Sequence, residues 1–186
     1  MTIPVNIHQV YANAKQLYTA DEVAKALDQM ASTINTKLLD TNPIVLCVMV
    51  GGMVTLGNLL PRLTFALELD YVHATRYQNG LSGKEVQWRA HTTMNLTGRH
   101  VLVVDDILEG GITLQAIIDD CYQQGARQVY SAVLLDKQCP RVTEQLSHAD
   151  FTGLTVEDHY VFGYGLDYKS YLRNAPGIYV PAPEHR

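Results

Sequence analysis

Apolar positions along the chain recur with two periods. After Thr19 and Glu22, spaced as a capping box, Val23, Leu27, Met30, Ala31, Ile34 and Leu38 fall on one helical face. Asn42-Pro43 breaks that helix. Ile44 to Val50 is a continuous apolar run, short enough for a fully buried strand. Gly51-Gly52 turns the chain into a second helix, with Leu56, Leu59, Leu60 and Leu63 facing inward. A strand is predicted over Asp70 to Thr75. The polar stretch from Arg76 to Arg89 predicts a long mobile loop flanked by ribbon strands, and such loops often act as lids. Val101 to Val104 is the next buried strand. The stripe Leu114, Ile117, Ile118 and Cys121 marks a helix that Gln124-Gly125 ends. Val129 to Leu135 is a further strand. Apolar strands alternating with amphipathic helices predict an α/β fold with a mainly parallel sheet. Beyond Asp150 the chain is rich in Tyr, Gly and short extended pieces, and is expected to fold over the sheet rather than extend it.

Length and composition narrow the class. The 186 residues suit one domain, 1–186, with 47% hydrophobic and 18% charged residues. A net charge of -5 argues against a sequence-independent grip on nucleic acid. No window reaches the roughly 18 apolar residues of a membrane span. The N-terminal stretch has no basic region followed by an apolar one. Cys47, Cys121 and Cys139 show no CxxC spacing. A cytoplasmic protein with reduced thiols is expected. The histidines at 8, 73, 91, 100, 148, 159 and 185 show no metal-ligand or triad spacing.

The chemistry concentrates in "VLVVDDILEGGITL", Val101 to Leu114. Asp105 and Asp106 stand at the carboxyl end of a strand, where open α/β sheets bind ligands. Gly110, Gly111, Ile112 and Thr113 open the next helix, whose free N–H groups and positive dipole end suit a phosphate. The two carboxylates can accept hydrogen bonds from sugar hydroxyls or hold a hydrated Mg²⁺. Together these parts suggest a sugar phosphate. Paired acids after "VV" also resemble the first strand end of receiver domains. That family carries them near its own N-terminus, and the glycine turn would be left unexplained.

The same stretch resembles the 5-phosphoribosyl-1-pyrophosphate (PRPP) signature of the type I phosphoribosyltransferases. "LLDK" at Leu134 to Lys137 and "VFGYGLDYKSYLRNAPGIYV" at Val161 to Val180 resemble the hypoxanthine-guanine branch, and "LCVMVGG" at Leu46 to Gly52 resembles its pyrophosphate loop. The resemblance implies a parallel-sheet core over about 43–150, with a small hood from the N-terminal segment and about 151–186. It implies a homodimer or homotetramer, acting on small-molecule substrates and needing Mg²⁺.

It also implies roles. Asp105 and Asp106 would lie near the ribose hydroxyls, directly or through Mg²⁺-bound water. Glu109 would stand beside purine N7 as general base or proton stabiliser. The Gly110–Thr113 turn would cradle the 5-phosphate. Lys137 would donate to purine O6, Tyr160 would stack on the base, and the Val161 backbone would read its edge. Asp167 would bind Mg²⁺, and Arg173 would neutralise pyrophosphate. Val50, Gly51 and Gly52 would bind pyrophosphate, helped by Arg76 and Tyr77 of the mobile loop.

Three positions depart from the family pattern. Val50 stands where many relatives have Lys, Glu109 where Asp is usual, and Arg76-Tyr77 where a Ser-Tyr pair is usual. Arg76 is expected to restore the charge missing at Val50. The Met49-Val50 peptide is expected to be cis, as in relatives. The implied activity is formation of IMP or GMP from PRPP and a 6-oxopurine. The alternative is a non-catalytic PRPP- or nucleotide-sensing regulator with the same fold.

Overall fold

A computed structural model describes residues 5–76, 86–141 and 146–185, with the backbone alone at 5 and 76. Nine residues of the expected lid, 77–85, therefore lie outside the described residues, Tyr77 among them.

The chain runs α1 (Val5–Ala12), β1 (Lys15–Tyr18), α2 (Ala20–Leu38), β2 (Ile44–Val48), α3 (Gly52–Leu59), β3 (Glu68–Arg76), β4 (Val86–Ala90), β5 (His100–Leu108), α4 (Ile112–Gln123), β6 (Gln128–Gln138), β7 (Phe151–Glu157) and β8 (Ile178–Val180). Six strands form one sheet in the order β4-β3-β2-β5-β6-β7, parallel except for the antiparallel β3–β4 edge.

Alternation along the central strands splits the core into two layers. Val45, Cys47, Leu102 and Val104 face α2 and α3, whereas Ile44, Leu46, Val101 and Val103 face α4. Helix α2 starts where the sequence indicates: the Thr19 hydroxyl accepts from the Glu22 N–H, and the Glu22 carboxylate accepts from the Thr19 N–H. Its buried residues are the expected stripe with Ala26 added. Each fully buried Leu or Ile there contributes about 1.5–3 kcal/mol.

Four expectations need correction. Helix α3 ends at Leu59, so Leu60 and Leu63 pack on the core from a 3-10 turn and its exit. Strand β5 does not stop at Val104 but continues to Leu108, because β6 goes on pairing with it as far as Leu108↔Asp136. Strand β6 extends to Gln138 for the same reason, so Lys137 lies within the strand. The segment after Asp150 begins as a regular strand, β7, parallel to β6, and leaves the sheet only after Glu157. Beyond it the chain returns as β8 to pair with β1. A separate cluster of Ile7, Val10, Phe162, Tyr168, Ala175 and Tyr179 fastens α1 to this tail.

No helix among the described residues is long and apolar enough to cross a membrane.

Candidate active site

The sheet opens, past the end of β2, on a cavity of about 700 Å³ lined without a break from Asp105 to Leu114. Its position follows from unequal strand lengths. The last recorded partner of β5 on β2 is Cys47↔Val104, whereas β6 pairs on through Leu108. From Asp105 onward β5 has an open flank, and the Met49–Gly51 turn lies across it. The Met49-Val50 peptide is cis. Gly51 comes so close to Asp106 that a Cβ there would overlap its carboxylate and force that side chain to shift.

Asp105 and Asp106 keep only a rim open to the cavity. Asp105 accepts the Asp106 N–H at 2.8 Å, and the Arg173 guanidinium stands 3.9 Å from Asp106. Burial pushes the Asp105 carboxyl well above the usual Asp range, and the charge of Asp106 adds to it. Burial also raises Asp106, with the Asp105 hydrogen bond and Arg173 opposing. An ionised pair so placed is costly until donors or a cation reach it. Sugar hydroxyls or a hydrated divalent ion meet that need.

The glycine turn follows. Gly111 sits at φ 76° as the N-cap of α4, and a Cβ there would strike the Leu146 carbonyl. No side chain caps α4, so its first N–H groups are available to an anion from the cavity that Ile112, Thr113 and Leu114 line.

On the β6 side, Lys137 Nζ lies 2.6 Å from Glu109 Oε1 and 3.2 Å from Asp158 Oδ1. Burial opposes the Lys137 charge, but those two carboxylates outweigh it and leave its pKa raised. Lys137 is thus a held cation with its head at the cavity wall. Tyr160 is half-exposed beside it, with its hydroxyl on the Asp167 carbonyl at 3.1 Å. Arg173 donates to Asp167 Oδ1 at 2.6 Å and to the Gly165 carbonyl at 2.5 Å.

Val50, Gly51, Asp105, Asp106, Glu109, Gly110, Gly111, Ile112, Thr113, Lys137, Tyr160, Val161, Asp167 and Arg173 all line this one cavity. Gly52 does not: it is buried against the Val104 carbonyl, as the contact where α3 meets β5. The Arg76 side chain and Tyr77 lie outside the described residues.

Sequence reasoning passed over Arg141. Its guanidinium donates to the carbonyls of Leu108, Glu109, Lys137 and Ser147 and to the buried Asp136 carboxylate. It thereby clamps the ends of β5 and β6 that carry Glu109 and Lys137. An Arg directly after Cys139-Pro140 was the only local signal, and its partners are mostly backbone atoms that no sequence pattern exposes.

Among the described residues no group of three or more His, Cys, Asp or Glu could hold a metal unaided. The acids present instead suit Mg²⁺, which commonly takes one or two carboxylates and completes its shell with water and substrate phosphates. Cys47 and Cys121 are raised by burial to about 11 and about 12, so neither is a nucleophile at neutral pH.

A family model described as a phosphoribosyl transferase domain matches residues 13–170. A hypoxanthine-guanine phosphoribosyltransferase of Streptococcus pneumoniae is 33% identical over 167 residues, 89% of this chain and 92% of the relative. A hypoxanthine-guanine-xanthine phosphoribosyltransferase of Tritrichomonas foetus is 30% identical over 162 residues, 87% of this chain and 88% of the relative. A solved structure of a hypoxanthine-guanine-xanthine phosphoribosyltransferase superposes with a TM-score of 0.82 at 27% identity, over 91% of this chain and 98% of that one. With the acid pair, glycine turn and buried lysine gathered at the strand ends, these matches make the chain a member of the type I phosphoribosyltransferase family, among its hypoxanthine-guanine relatives.

Proposed function

We propose that this protein transfers the 5-phosphoribosyl group of PRPP to hypoxanthine or guanine, giving IMP or GMP and pyrophosphate. The observation that carries the reading is the cavity itself. It brings together a helix N-terminus suited to a phosphate, an acid pair suited to sugar hydroxyls and a Glu109–Lys137 pair, and that combination supports a phosphoribosyl group and a 6-oxopurine as its ligands.

Each part then has a task. The 5-phosphate binds the N–H groups at Gly110–Thr113. Asp105 and Asp106 accept hydrogen bonds from the ribose hydroxyls. Lys137 turns from Glu109 to the purine O6, and Glu109 takes the imidazole side of the ring near N7. Tyr160 covers the base, and the Val161 backbone reads its edge. Pyrophosphate lies across Val50 and Gly51, toward Arg173. Asp167 and the Asp105–Asp106 pair are the residues that would hold Mg²⁺, which would offset charge on the departing pyrophosphate.

As the C1–pyrophosphate bond lengthens, the ribose gains oxocarbenium character and purine N9 attacks from the opposite face. Glu109 accepts the proton that leaves the imidazole ring as the N9–C1 bond forms, so that nucleotide and pyrophosphate are the products. The protein forms no covalent bond; it holds two substrates in line and keeps water from the cation.

An apolar groove lined by Met53, Leu56, Leu69 and Tyr71 lies on the outer face of β3 and α3. Exposure of Met53, Leu69 and Tyr71 supports assembly as a homodimer or homotetramer.

The deciding assay supplies PRPP and Mg²⁺ with hypoxanthine, guanine or xanthine and follows nucleotide formation. IMP and GMP should appear. Tight PRPP binding with no nucleotide from any base would instead favour the sensing regulator.

A further inference from the structure

Among the described residues, the charge of the cavity does not balance for a polyanionic substrate. Asp105, Asp106, Glu109 and Asp167 all line it. Lys137 faces Glu109 and Asp158, and Arg173 faces Asp167. The Met49–Gly51 turn contributes no side-chain charge, since Val50 occupies its tip.

Among the described residues one further cation lines the cavity: Arg89 of β4. No hydrogen bond or ion pair ties it to a carboxylate among the described residues. Its placement is not that of an ordinary edge-strand arginine. Strands β3 and β4 pair at Thr75↔Gln87 and Ala74↔Trp88, and then the register slips so that His73 faces Ala90. Arg89 is the extra residue of that bulge. Trp88 stays packed in the hydrophobic layer beside α4 and stacks on His91, which holds the bulge in place. Bulges re-aim a side chain and concentrate beside active sites.

The bulge also stands on the pyrophosphate side. The Met49 N–H donates to the Val72 carbonyl at 2.8 Å, tying the turn to β3 one residue before His73, the residue opposite the bulge. The phosphate cradle and Lys137 lie beyond β2, on β5 and β6.

We infer that Arg89 supplies the cation the pyrophosphate turn lacks and binds the pyrophosphate group of PRPP. The inference rests on the phosphoribosyl-transfer reading. A planar guanidinium suits the task, because it pairs with two phosphate oxygens at once and stays charged at every working pH. It lines the cavity, and binding there need not break an ion pair to any described residue.

The test starts with the unaltered protein, which must form nucleotide; if it does not, the transfer reading itself fails. Given turnover, Arg89→Gln should raise the KM for PRPP and the inhibition constant of pyrophosphate by about tenfold or more, the loss expected for one charge-assisted hydrogen bond. The KM for guanine and the Kd for GMP should not move, since neither ligand carries pyrophosphate. Arg89→Lys should recover part of the loss while keeping the fold, as charge without the fork. Unchanged pyrophosphate inhibition in Arg89→Gln would overturn the inference. So would weakened GMP binding with pyrophosphate unaffected, which would put the cation on the 5-phosphate.

Discussion

Replacing Arg141 by Met tests how the reactive wall is held. The side chains of Arg141 and Asp136 are only 11% and 9% exposed, and they form an ion pair. Removing the guanidinium leaves the Asp136 carboxylate buried and unpaired, a change that typically costs about 3–5 kcal/mol. Four carbonyls lose a donor as well, at Leu108, Glu109, Lys137 and Ser147. Water can reach those near the surface, so the carboxylate dominates, and a net loss of about 3–4 kcal/mol is expected. Urea unfolding at fixed protein concentration measures it as a lower midpoint. A second variant isolates the cause. Asp136→Asn combined with Arg141→Met strands no charge and should be more stable than Arg141→Met alone. Turnover should stay low in both, because Glu109 and Lys137 lose their brace either way. A loss under about 1 kcal/mol for Arg141→Met, or a double variant no more stable than the single one, would refute the argument.

Three other outcomes follow from the site. Asp105→Asn should stabilise the protein at neutral pH and nearly abolish turnover. The raised Asp105 carboxyl keeps its proton in the native state at pH values where the unfolded chain has lost it, so native stability falls as pH rises through that window. The gain should therefore shrink as pH falls toward about 3.9, the ordinary Asp value; thermal midpoints of both proteins across pH show it, and an equal difference at every pH would count against it. Glu109→Gln should lower kcat by about 10²–10⁴, the range of general acid–base catalysis, with little change in PRPP affinity; unchanged kcat would remove Glu109 from the chemistry. Gly51→Ala keeps a permitted backbone but drives a methyl into Asp106, so it should weaken PRPP binding while leaving thermal stability nearly intact, and unaltered PRPP kinetics would show that the close approach is dispensable.

Much of the fold was readable because its signals are local. The capping box and stripe of α2 lie within four residues of their partners, and helix geometry makes them meet. The apolar runs Ile44 to Val50 and Val101 to Val104 announced buried strands, the first of which ends already at Val48. The sixth strand was not announced in this way. Phe151–Glu157 is an edge strand with only Val156 buried, so its pattern resembles that of a loop until β6 is seen beside it. The ends of β5 and β6 escaped for a related reason: β5 is carried on by pairing with β6 as far as Leu108, and β6 by pairing with β7 as far as Gln138.

The site divides the same way. Residue type and order along the chain pointed to the acid pair and the glycine turn through sugar and phosphate chemistry, and the family resemblance added Glu109 and Lys137. Only the tertiary structure decided how they meet. The early end of β2 opens the flank that exposes Asp105 and Asp106, the Lys137 ammonium closes on Glu109, and Gly52 is withdrawn into the packing of α3 on β5. Arg141 and Arg89 became visible only there as well. The one is defined by carbonyls from distant segments and the other by a slip of register, and both depend on which strands lie side by side.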